Sequence, residues 1–373
     1  MTTTASSPKV VHRSQTQLSV AWTQFRKNKL AVTGGIFIIL LYLMAIFAPF
    51  LAPDGLSNYS TTDITAFRKP TPLHIHNPKT GQWGLYVDQF AQQLNMTTFQ
   101  QEFSPTGKTC PVHFFVQGDP YRILGIPGSL HLFGTGDPSC KVFLWGAEAL
   151  GRDLLTRTLY ASQISLTIGV LSVLLSTLIG IVMGALAAFF GGWVDNLINR
   201  SIEVISAIPY LFLLFLLRSI FPQSINPLLA LFVILGMLAF ISWGGLARTI
   251  RSQLLSVREQ DYVTAANSLG ASQSRIMFRH MIPSMTTYLI VTLSLSIPGT
   301  ILLESSLSFL GIGAVEPNVS WGTLLSQAQE AGIASITDRP WMLIPGFFIV
   351  FTVMCYQLLG DGLRDAFDPR RRQ

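Results

Sequence analysis

The stretch INPLLALFVILGMLAFISWGGLA, residues 225–247, decides the fold class because it contains no charged residue. In an α-helix, about 20 apolar residues cross the hydrocarbon core of a bilayer, which is about 30 Å thick. Other blocks of suitable length lie at residues 30–51, 164–190, 202–221, 285–309 and 341–359. We therefore predict six transmembrane helices. The block at 202–221 is the weakest, because Glu203 and Arg218 lie near its ends and Pro209 lies inside it.

The composition supports a membrane protein and excludes several other classes. Charged residues make up 12% of the 373 residues and the mean hydropathy is +0.45, whereas soluble domains carry about 25% charged residues. A disordered chain, a disulfide-dense secreted mini-protein and most soluble enzymes are excluded. The formal net charge of +6 comes from basic residues that flank the apolar blocks, which is typical of membrane topology and not of nucleic-acid binding. The predicted fold class is an all-α polytopic membrane protein.

The basic residues also predict the orientation. If the N-terminus is cytoplasmic, most Arg and Lys residues near the span ends fall on the cytoplasmic side, as the positive-inside rule requires. Both termini are then cytoplasmic. The residues that carry this prediction are Arg26, Lys27, Lys29, Arg200, Arg248, Arg251, Arg258, Arg275, Arg279, Arg364, Arg370, Arg371 and Arg372.

The N-terminal region is predicted to be a cytoplasmic tail, residues 1–29, followed by a permanent span at 30–51. The apolar block is longer than the 7–15 residues of a signal-peptide core. Leu18, Trp22 and Phe25 recur at helical spacing beside Arg26. They predict a short helix on the inner membrane surface, with a disordered tail as the alternative.

Residues 52–160 are predicted to form a long external loop or small domain between the first two spans. Pro, Gly, polar and aromatic residues replace the aliphatic blocks here, and 113–116 is strand-like. An oxidising exterior would permit a disulfide between Cys110 and Cys140, and two free cysteines are the alternative. The histidines His74, His76, His113 and His131 are expected to be solvated rather than to bind a metal.

No phosphate-binding loop is found in the sequence. Gly107-Lys108-Thr109 resembles the end of such a loop, but the glycine required five residues earlier is replaced by Glu102. The chain is therefore expected to have no catalytic residue, no metal and no cofactor of its own.

The connection at 248–283 is the longest one predicted on the cytoplasmic side, and it carries strong helix signals. Ser256 and Glu259 fit a capping box that predicts a helix from near Val257. Gly270 is a stop signal for that helix. Ser272 then caps a second helix that runs to about residue 280, and Pro283 is expected to end it.

The same connection resembles the EAA loop of ABC importer permeases, and more narrowly the C-type subunit of the dipeptide/oligopeptide permease family. The resemblance is carried by DYVTAA (261–266), LGA (269–271), RI (275–276) and RHMIP (279–283). Matching motifs elsewhere are FRKNKL (25–30), LGRDLLTR (150–157), ESSLSFLG (304–311), SWG (320–322) and LGDGLRDAFDPR (359–370). Asn267 and Ser284 depart from the family pattern, and the segment at about 55–140 carries no family motif.

The resemblance implies a non-catalytic, multi-pass subunit of the bacterial cytoplasmic (inner) membrane, with its permease core at residues 161–373. It implies a second, B-type permease, two cytoplasmic ATPase subunits that bind ATP and Mg, and an external substrate-binding protein. The coupling helix, residues 261–270, would contact the ATPases. The arginines that follow it would meet acidic ATPase groups, with membrane lipid as the alternative partner. The implied docking residues are Asp261, Tyr262, Ala265, Ala266, Gly270, Arg275, Ile276, Arg279, His280 and Pro283.

The substrate implied by the resemblance is a di- or oligopeptide. Import of nickel complexes or of another small solute is the alternative, and an ion-driven secondary transporter is a more distant one. A membrane-embedded enzyme would need a cluster of His, Asp, Glu or Ser at one depth, which is not apparent in the sequence. A channel or membrane scaffold would leave the EAA-like loop unexplained. Glu203, Arg218 and Glu304 are ionisable residues within the apolar blocks, but all three lie near span ends, so the sequence assigns no substrate path.

Overall fold

The computed structural model describes residues 17–56, 66–76, 81, 83–95, 100–137, 140–222, 226–314, 316–330 and 337–368. In chain order, the helices that precede the predicted cytoplasmic connection are α1 (Gln17–Lys27), α2 (Lys29–Ile46), α3 (Ala48–Leu51), α4 (Leu154–Phe190), α5 (Gly192–Ala207), α6 (Tyr210–Ser219) and α7 (Pro227–Arg258). They are followed by α8 (Asp261–Ser268), α9 (Gln273–Ile276), a π-helical turn (Met277–Met281), α10 (Ile282–Ser284), α11 (Thr286–Phe309), α12 (Trp321–Glu330), a 3₁₀ turn (Pro340–Leu343) and α13 (Ile344–Phe367).

Among the described residues, five helical segments are long and apolar enough to cross a membrane: α2, α4, α7, α11, and α13 with the 3₁₀ turn that precedes it. A sixth crossing exists if α5 and α6 form one broken span. The prediction of a single helix over 202–221 is wrong, because these two helices meet at an angle of 92°. The break lies at Ile208 and Pro209. Proline favours an extended conformation in the residue before it, and Ile208 has ψ 126°.

The second and fourth spans are longer than predicted. The side chain of Asp153 accepts hydrogen bonds from the backbone N–H and the hydroxyl of Thr156, both at 2.7 Å. This N-cap starts α4 at Leu154, ahead of the predicted 164 and of the predicted domain boundary at 161. At its other end, α7 continues to Arg258. The apolar blocks therefore locate these spans, whereas the helix ends depend on caps and on packing outside the blocks.

The prediction of an all-α chain is wrong for the insertion between α3 and α4. Its strands are β1 (Leu73–His76), β2 (Trp83–Asn95), β3 (Gln100–Pro111), β4 (His113–Ile123) and β5 (Ile126–Gly134). β1, β2 and β3 form an antiparallel sheet in that order, and β4 and β5 form an antiparallel hairpin. The strand expected at 113–116 is the start of β4. A disulfide joins Cys110 in β3 to Cys140, which follows β5.

Helix α4 is central to the bundle, since it packs against α2, α7 and α11. The contact with α7 is close at Gly184, where an added Cβ would lie 2.6 Å from the carbonyl oxygen of Ala247. Trp321 of α12 is fully buried beside α4, and its indole N–H donates to the carbonyl of Thr158 at 3.1 Å.

The N-terminal helix predicted from Leu18, Trp22 and Phe25 is present as α1. Ala21 and Phe25 are buried against Ala366, close to the end of α13, whereas Trp22 is 58% exposed. The helix is thus attached to the bundle through one face and leaves an aromatic side chain on the other.

Candidate functional site

The candidate site is the connection between α7 and α11, and it begins one turn later than the sequence predicts. The expected helix start near Val257 is wrong, because α7 continues through this residue to Arg258. Helix α8 starts at Asp261, after an extended N-cap residue, Gln260. The capping-box pattern is overridden by burial: Ile250 and Leu254 of α7 are almost fully buried and hold that helix in register.

Helix α8 is attached to the bundle through one buried residue, Val263, which is 4% exposed. Val263 belongs to a cluster that we call the anchor cluster. Burial of a valine such as Val263 contributes about 1.5–3 kcal/mol, so the short helix is stabilised by tertiary packing and not by its own length. The anchor cluster consists of Ala185 and Ala188 of α4, Ile250 and Leu254 of α7, Val263, and Ile276, Met277, Met281 and Met285.

The end of α8 is a Schellman motif. The N–H of Ala271 donates to the carbonyl of Ala266 at 3.1 Å, and the N–H of Gly270 donates to the carbonyl of Asn267 at 3.0 Å. Gly270 has φ +76°, in the left-handed region that glycine adopts without strain. The predicted stop at Gly270 is confirmed. No heavy atom lies within 4 Å of a Cβ added there, so the backbone conformation and not space requires the glycine.

The second helix differs from the prediction at its far end. Ser272 is the N-cap of α9 as expected, although its side chain makes no capping hydrogen bond. Pro283 does not end the helical path, because the chain widens into the π-helical turn and continues as α10. In that turn the N–H of Ile282 donates to the carbonyl five residues back, at Met277. Such a widened turn accommodates a proline, which has no N–H to donate.

The exposed side of α8 lies opposite Val263. Tyr262 is 42% exposed and Leu269 is 87% exposed, with exposed Ala265 between them on the same face. Asp261 is exposed in the first turn, where the helix dipole favours a negative charge. Exposed apolar side chains that share one face of a helix are typical of an interaction surface, whereas a single one is not. We call this surface, formed by Asp261, Tyr262, Ala265 and Leu269, the α8 face.

The remaining predicted docking residues fall into two groups. The structure exposes Gly270, Arg275, Arg279, His280 and Pro283, whereas Ala266 is half-buried. Ile276 is only 3% exposed and belongs to the anchor cluster, so it supports the site from beneath. The site residue that sequence reasoning missed is Leu269. Its spacing of seven from Tyr262, on the face opposite Val263, is the signal that could have identified it.

Of the ionisable residues considered for a substrate path, Glu304 is fully buried and does not reach the surface. Its carboxylate accepts hydrogen bonds from the hydroxyls of Ser308 at 2.7 Å and Ser165 at 3.2 Å. The Ser165 hydroxyl in turn accepts from the backbone N–H of Trp321 at 3.1 Å. Glu304 therefore joins α11, α4 and α12 within the bundle.

The other two residues make local contacts. Glu203 is half exposed and pairs with Arg200 at 2.7 Å. Arg218 donates to the carbonyl of Phe221 at 3.1 Å. Both contacts are local, and they assign no substrate path.

An ion cluster at the N-terminal end of α4 was also missed. Arg157, 1% exposed, and Arg152 both contact the fully buried carboxylate of Glu148. Both arginines also bind Glu316, which precedes α12, at 2.6 Å and 2.9 Å. Burial alone would raise the pKa of Glu316, but the hydrogen bonds and charges of the two arginines outweigh it and lower the pKa. These ion pairs thus attach the α11–α12 connection to α4. In the sequence, the same residues resemble charged residues of ordinary loops.

In the insertion, the prediction that the histidines are solvated is wrong for His131 and does not hold equally for the others. His74 pairs with Asp88 at 2.9 Å, whereas His131 is 2% exposed. No group of three or more His, Cys, Asp or Glu residues suited to a metal ion is found in the described ranges.

The long apolar helices, the central α4 and the anchored α8 define a polytopic membrane protein with a helical element attached at one end of its bundle. Residues 152–373 match the family model described as the binding-protein-dependent transport system inner membrane component. Residues 16–70 match the model described as the N-terminal TM domain of oligopeptide transport permease C. The chain belongs to the family of binding-protein-dependent transport system inner membrane components. The resemblance that its motifs indicate is thereby confirmed.

Similar curated proteins span most of this chain. The oligopeptide transport system permease protein OppC of Bacillus subtilis is 32% identical over 98% of this chain and 93% of its own length. The protein of the same name from Haemophilus influenzae is 42% identical over 61% of this chain and 70% of its own. The dipeptide transport system permease protein DppC of Bacillus subtilis is 30% identical over 95% and 86%.

Among solved structures, an inward-facing form of the MetNI methionine ABC transporter matches with a TM-score of 0.43. The identity is 19%, over 56% of this chain and 96% of that chain.

Proposed function

We propose that this chain is a transmembrane permease subunit of an ABC importer that moves di- or oligopeptides across the bacterial inner membrane. Family membership carries the proposal, since two family models together match residues 16–70 and 152–373. The peptide substrate is supported by the names of the relatives, which are oligopeptide and dipeptide permeases. Import of nickel complexes or another small solute is the alternative that an assay must separate.

The complex proposed around this chain contains a second, B-type permease, two cytoplasmic ATPase subunits and an external substrate-binding protein. ATP and Mg would be bound and ATP hydrolysed in the ATPases, so this chain itself is non-catalytic. Both termini and α8 would face the cytoplasm, as the Arg and Lys distribution favours. The insertion would face the exterior, where an oxidising environment suits the Cys110–Cys140 disulfide.

The α8 face is the proposed contact with an ATPase subunit. A helix can transmit a displacement only if it is stiff and attached to what it moves. The Schellman motif at Gly270 fixes the end of α8, and Val263 attaches the helix to α4 and α7 through the anchor cluster. An ATPase that moves against the α8 face would therefore displace two membrane helices. Arg275, Arg279 and His280 are proposed to meet acidic ATPase groups or lipid headgroups beside it.

The docking proposal is tested by placing a charge in the α8 face. The variant Ala265→Glu adds a carboxylate at its centre, opposite the buried Val263. We expect the purified variant to retain the second permease but to lose most of the co-purifying ATPase, because an interface core does not tolerate an unpaired charge. The measurement is subunit stoichiometry after purification of the complex in mild detergent.

The matched control is Ser256→Glu, which adds the same charge at an exposed position of α7. It is expected to leave the ATPase content unchanged. Full ATPase content in Ala265→Glu would contradict docking through the α8 face, and equal loss in both variants would point to a general effect of charge.

The substrate is tested with the reconstituted complex and its binding protein. We expect ATP hydrolysis to be stimulated by the binding protein loaded with a mixture of di- to hexapeptides. Stimulation by nickel chelates with no response to peptides would establish the alternative. Unchanged import after removal of every ATPase subunit would instead support an ion-driven transporter.

A further inference from the structure

The turn of the β4–β5 hairpin is apolar and exposed. It consists of Leu124 and Gly125, between the paired residues Ile123 and Ile126. Leu124 is 87% exposed and Ile126 is 71% exposed. The sequence contains no Asp, Glu, Lys or Arg from residue 123 to residue 136. The end of the hairpin thus carries adjacent apolar side chains at positions where turns normally carry polar residues or glycine.

The backbone of this turn makes the leucine more unusual. Leu124 has φ +50° and Gly125 has φ +88°, so both central residues have positive φ, as in a type I′ turn. Asn or Asp is preferred at the first of these positions, because a leucine side chain strains this conformation. In the described part of the chain, no heavy atom lies within 4 Å of a Cβ added to Gly125. Neighbouring elements therefore do not enclose the turn, and the strained, exposed leucine indicates a contact outside the chain.

The other end of the hairpin is fixed to the membrane bundle. Phe133 of β5 packs into the buried cluster formed by Ala48 and Ala52, in and just after α3, and by Leu155 and Leu159 of α4. Both strands also contact α3. The position of the hairpin relative to the bundle is therefore set by this base, and the turn is its free end.

From this base the hairpin runs toward a deeper part of the bundle. Arg122, which precedes the turn, lines a cavity together with Tyr160 and Gln163 of α4. Gln163 lies one helical turn further into the bundle than Leu159. Its side chain donates to the carbonyl of Ala45 in the last turn of α2, at 2.8 Å. Since α2 has 18 residues, a length of about 27 Å, its end marks the boundary of a hydrocarbon core about 30 Å thick.

The strands are long enough to bring the turn to this boundary. The segment of β5 from Ile126 to Phe133 is about 24 Å long at about 3.4 Å per residue. One helical turn, from Leu159 to Gln163, covers only about 6 Å. Even a strongly inclined hairpin therefore reaches the level at which α2 ends.

We propose that the turn of the β4–β5 hairpin, residues 123–127, inserts into the membrane interface beside the bundle. Leu124 and Ile126 enter the boundary between headgroups and acyl chains. The exposed Arg122 lies above them, where its guanidinium meets lipid phosphates. The insertion stops at this boundary, because the described β4 and β5 form a two-stranded sheet whose unpaired edges hydrocarbon does not tolerate. The contact is independent of which solute the bundle carries.

The test is spin labelling of the full-length protein in lipid nanodiscs. Leu124→Cys and Ile126→Cys are made in a Cys355→Ser background, in which the two remaining cysteines form the disulfide of the insertion. Each variant carries a nitroxide. Power saturation compares its collisions with oxygen, which concentrates in lipid, and with a water-soluble paramagnetic chelate. We expect the oxygen-to-chelate ratio at both positions to be several-fold higher than at a control position.

The matched control is Phe114→Cys in the same background. Phe114 is an apolar residue of the same hairpin, is 60% exposed and lies at the end away from the turn. Equal ratios at Leu124 and Phe114 would overturn the proposal. So would a label at Leu124 that stays open to the chelate until the external binding protein is added, because that result would identify a protein as the partner.

A second measurement uses the unmodified protein, so it does not depend on the cysteine variants. A phospholipid with a photoreactive group on its acyl chain is incorporated into the nanodiscs, and the irradiated protein is digested and analysed by mass spectrometry. We expect lipid adducts on residues 123–127 and none on residues 113–116. Leu40 of α2, which is 51% exposed, is the positive control. Adducts on α2 without adducts on the turn would contradict the insertion.

Discussion

At the scale of one residue, Asp153 starts α4 as its N-cap, but burial of its carboxylate costs stability. Its carboxylate caps α4 but is only 3% exposed. Burial raises its pKa to about 7, although the hydrogen bonds from Thr156 act in the opposite direction. In the unfolded chain an aspartate titrates near pH 3.9. The folded protein therefore binds this proton more tightly than the unfolded one, and its stability falls as the pH rises from about 4 to about 7.

The variant Asp153→Asn removes this cost and keeps an oxygen that can accept the same hydrogen bonds. We expect its Tm to match that of the wild type near pH 4.5, to exceed it increasingly up to about pH 7, and to differ by a constant amount above that. The measurement is thermal unfolding in detergent at several pH values. The control Asp153→Ala removes the cap and should be about 1 kcal/mol less stable than Asp153→Asn at every pH. A difference between the Asn variant and the wild type that is independent of pH would contradict the raised pKa.

At the scale of one element, α8 depends on the left-handed backbone of Gly270. The residue has φ +76°, and there is open space around its α-carbon. Alanine at this position would meet no steric contact from neighbours but would strain its own backbone by about 1 kcal/mol. This backbone strain would destabilise the short α8, which the anchor cluster attaches to the bundle. It would not destabilise the long membrane helices.

We therefore expect Gly270→Ala to reduce ATPase stimulation by the loaded binding protein several-fold while the Tm of the bundle changes by less than about 2 °C. The measurements are ATP hydrolysis by the reconstituted complex and thermal unfolding of the permease. The matched control is Gly245→Ala in α7, which also has open space but an ordinary helical φ. It should leave the stimulation unchanged and should not lower the Tm, since alanine favours a helix interior. An equal loss of stimulation in the two variants would contradict the backbone explanation.

The elements also show what the sequence could and could not predict. Gly270 was predictable because a helix stop is a local backbone requirement. The start of α8 was not, because burial of Ile250 and Leu254 carries α7 past the capping box at Ser256. The break at Pro209 was visible as a proline, but its 92° bend depends on how α5 and α6 pack. The strands of the insertion form because residues far apart in the sequence, such as Val87 and Cys110, pair with each other. The sequence pattern shows little of this pairing.

At the scale of the molecule, the insertion has a source of stability that the bundle lacks. The disulfide between Cys110 and Cys140 closes a loop with a sequence separation of 30, which corresponds to about 3–4 kcal/mol in the loop-entropy model. It fastens β3 to the segment after β5, whereas the bundle is held by helix packing. Loss of the bridge should thus loosen the insertion and leave the membrane helices folded.

The double variant Cys110→Ser/Cys140→Ser is expected to be cleaved at least tenfold faster within the strands by a protease added to the protein in nanodiscs. The bundle should keep its far-ultraviolet circular dichroism and its Tm. Cys355→Ser is the control, because Cys355 is a buried free cysteine of α13. Unchanged cleavage of the strands in the double variant would show that packing alone holds the insertion together.

Helix α4 has a consequence for how motion is distributed. Its 37 residues run without interruption, a length of about 55 Å. One end holds Arg157 in the ion cluster with Glu316, and the other presents Ala185 and Ala188 to the anchor cluster. The helix is therefore one continuous element without a hinge. We therefore expect a tilt imposed on α4 at the α8 end to shift the connection between α11 and α12 at its other end.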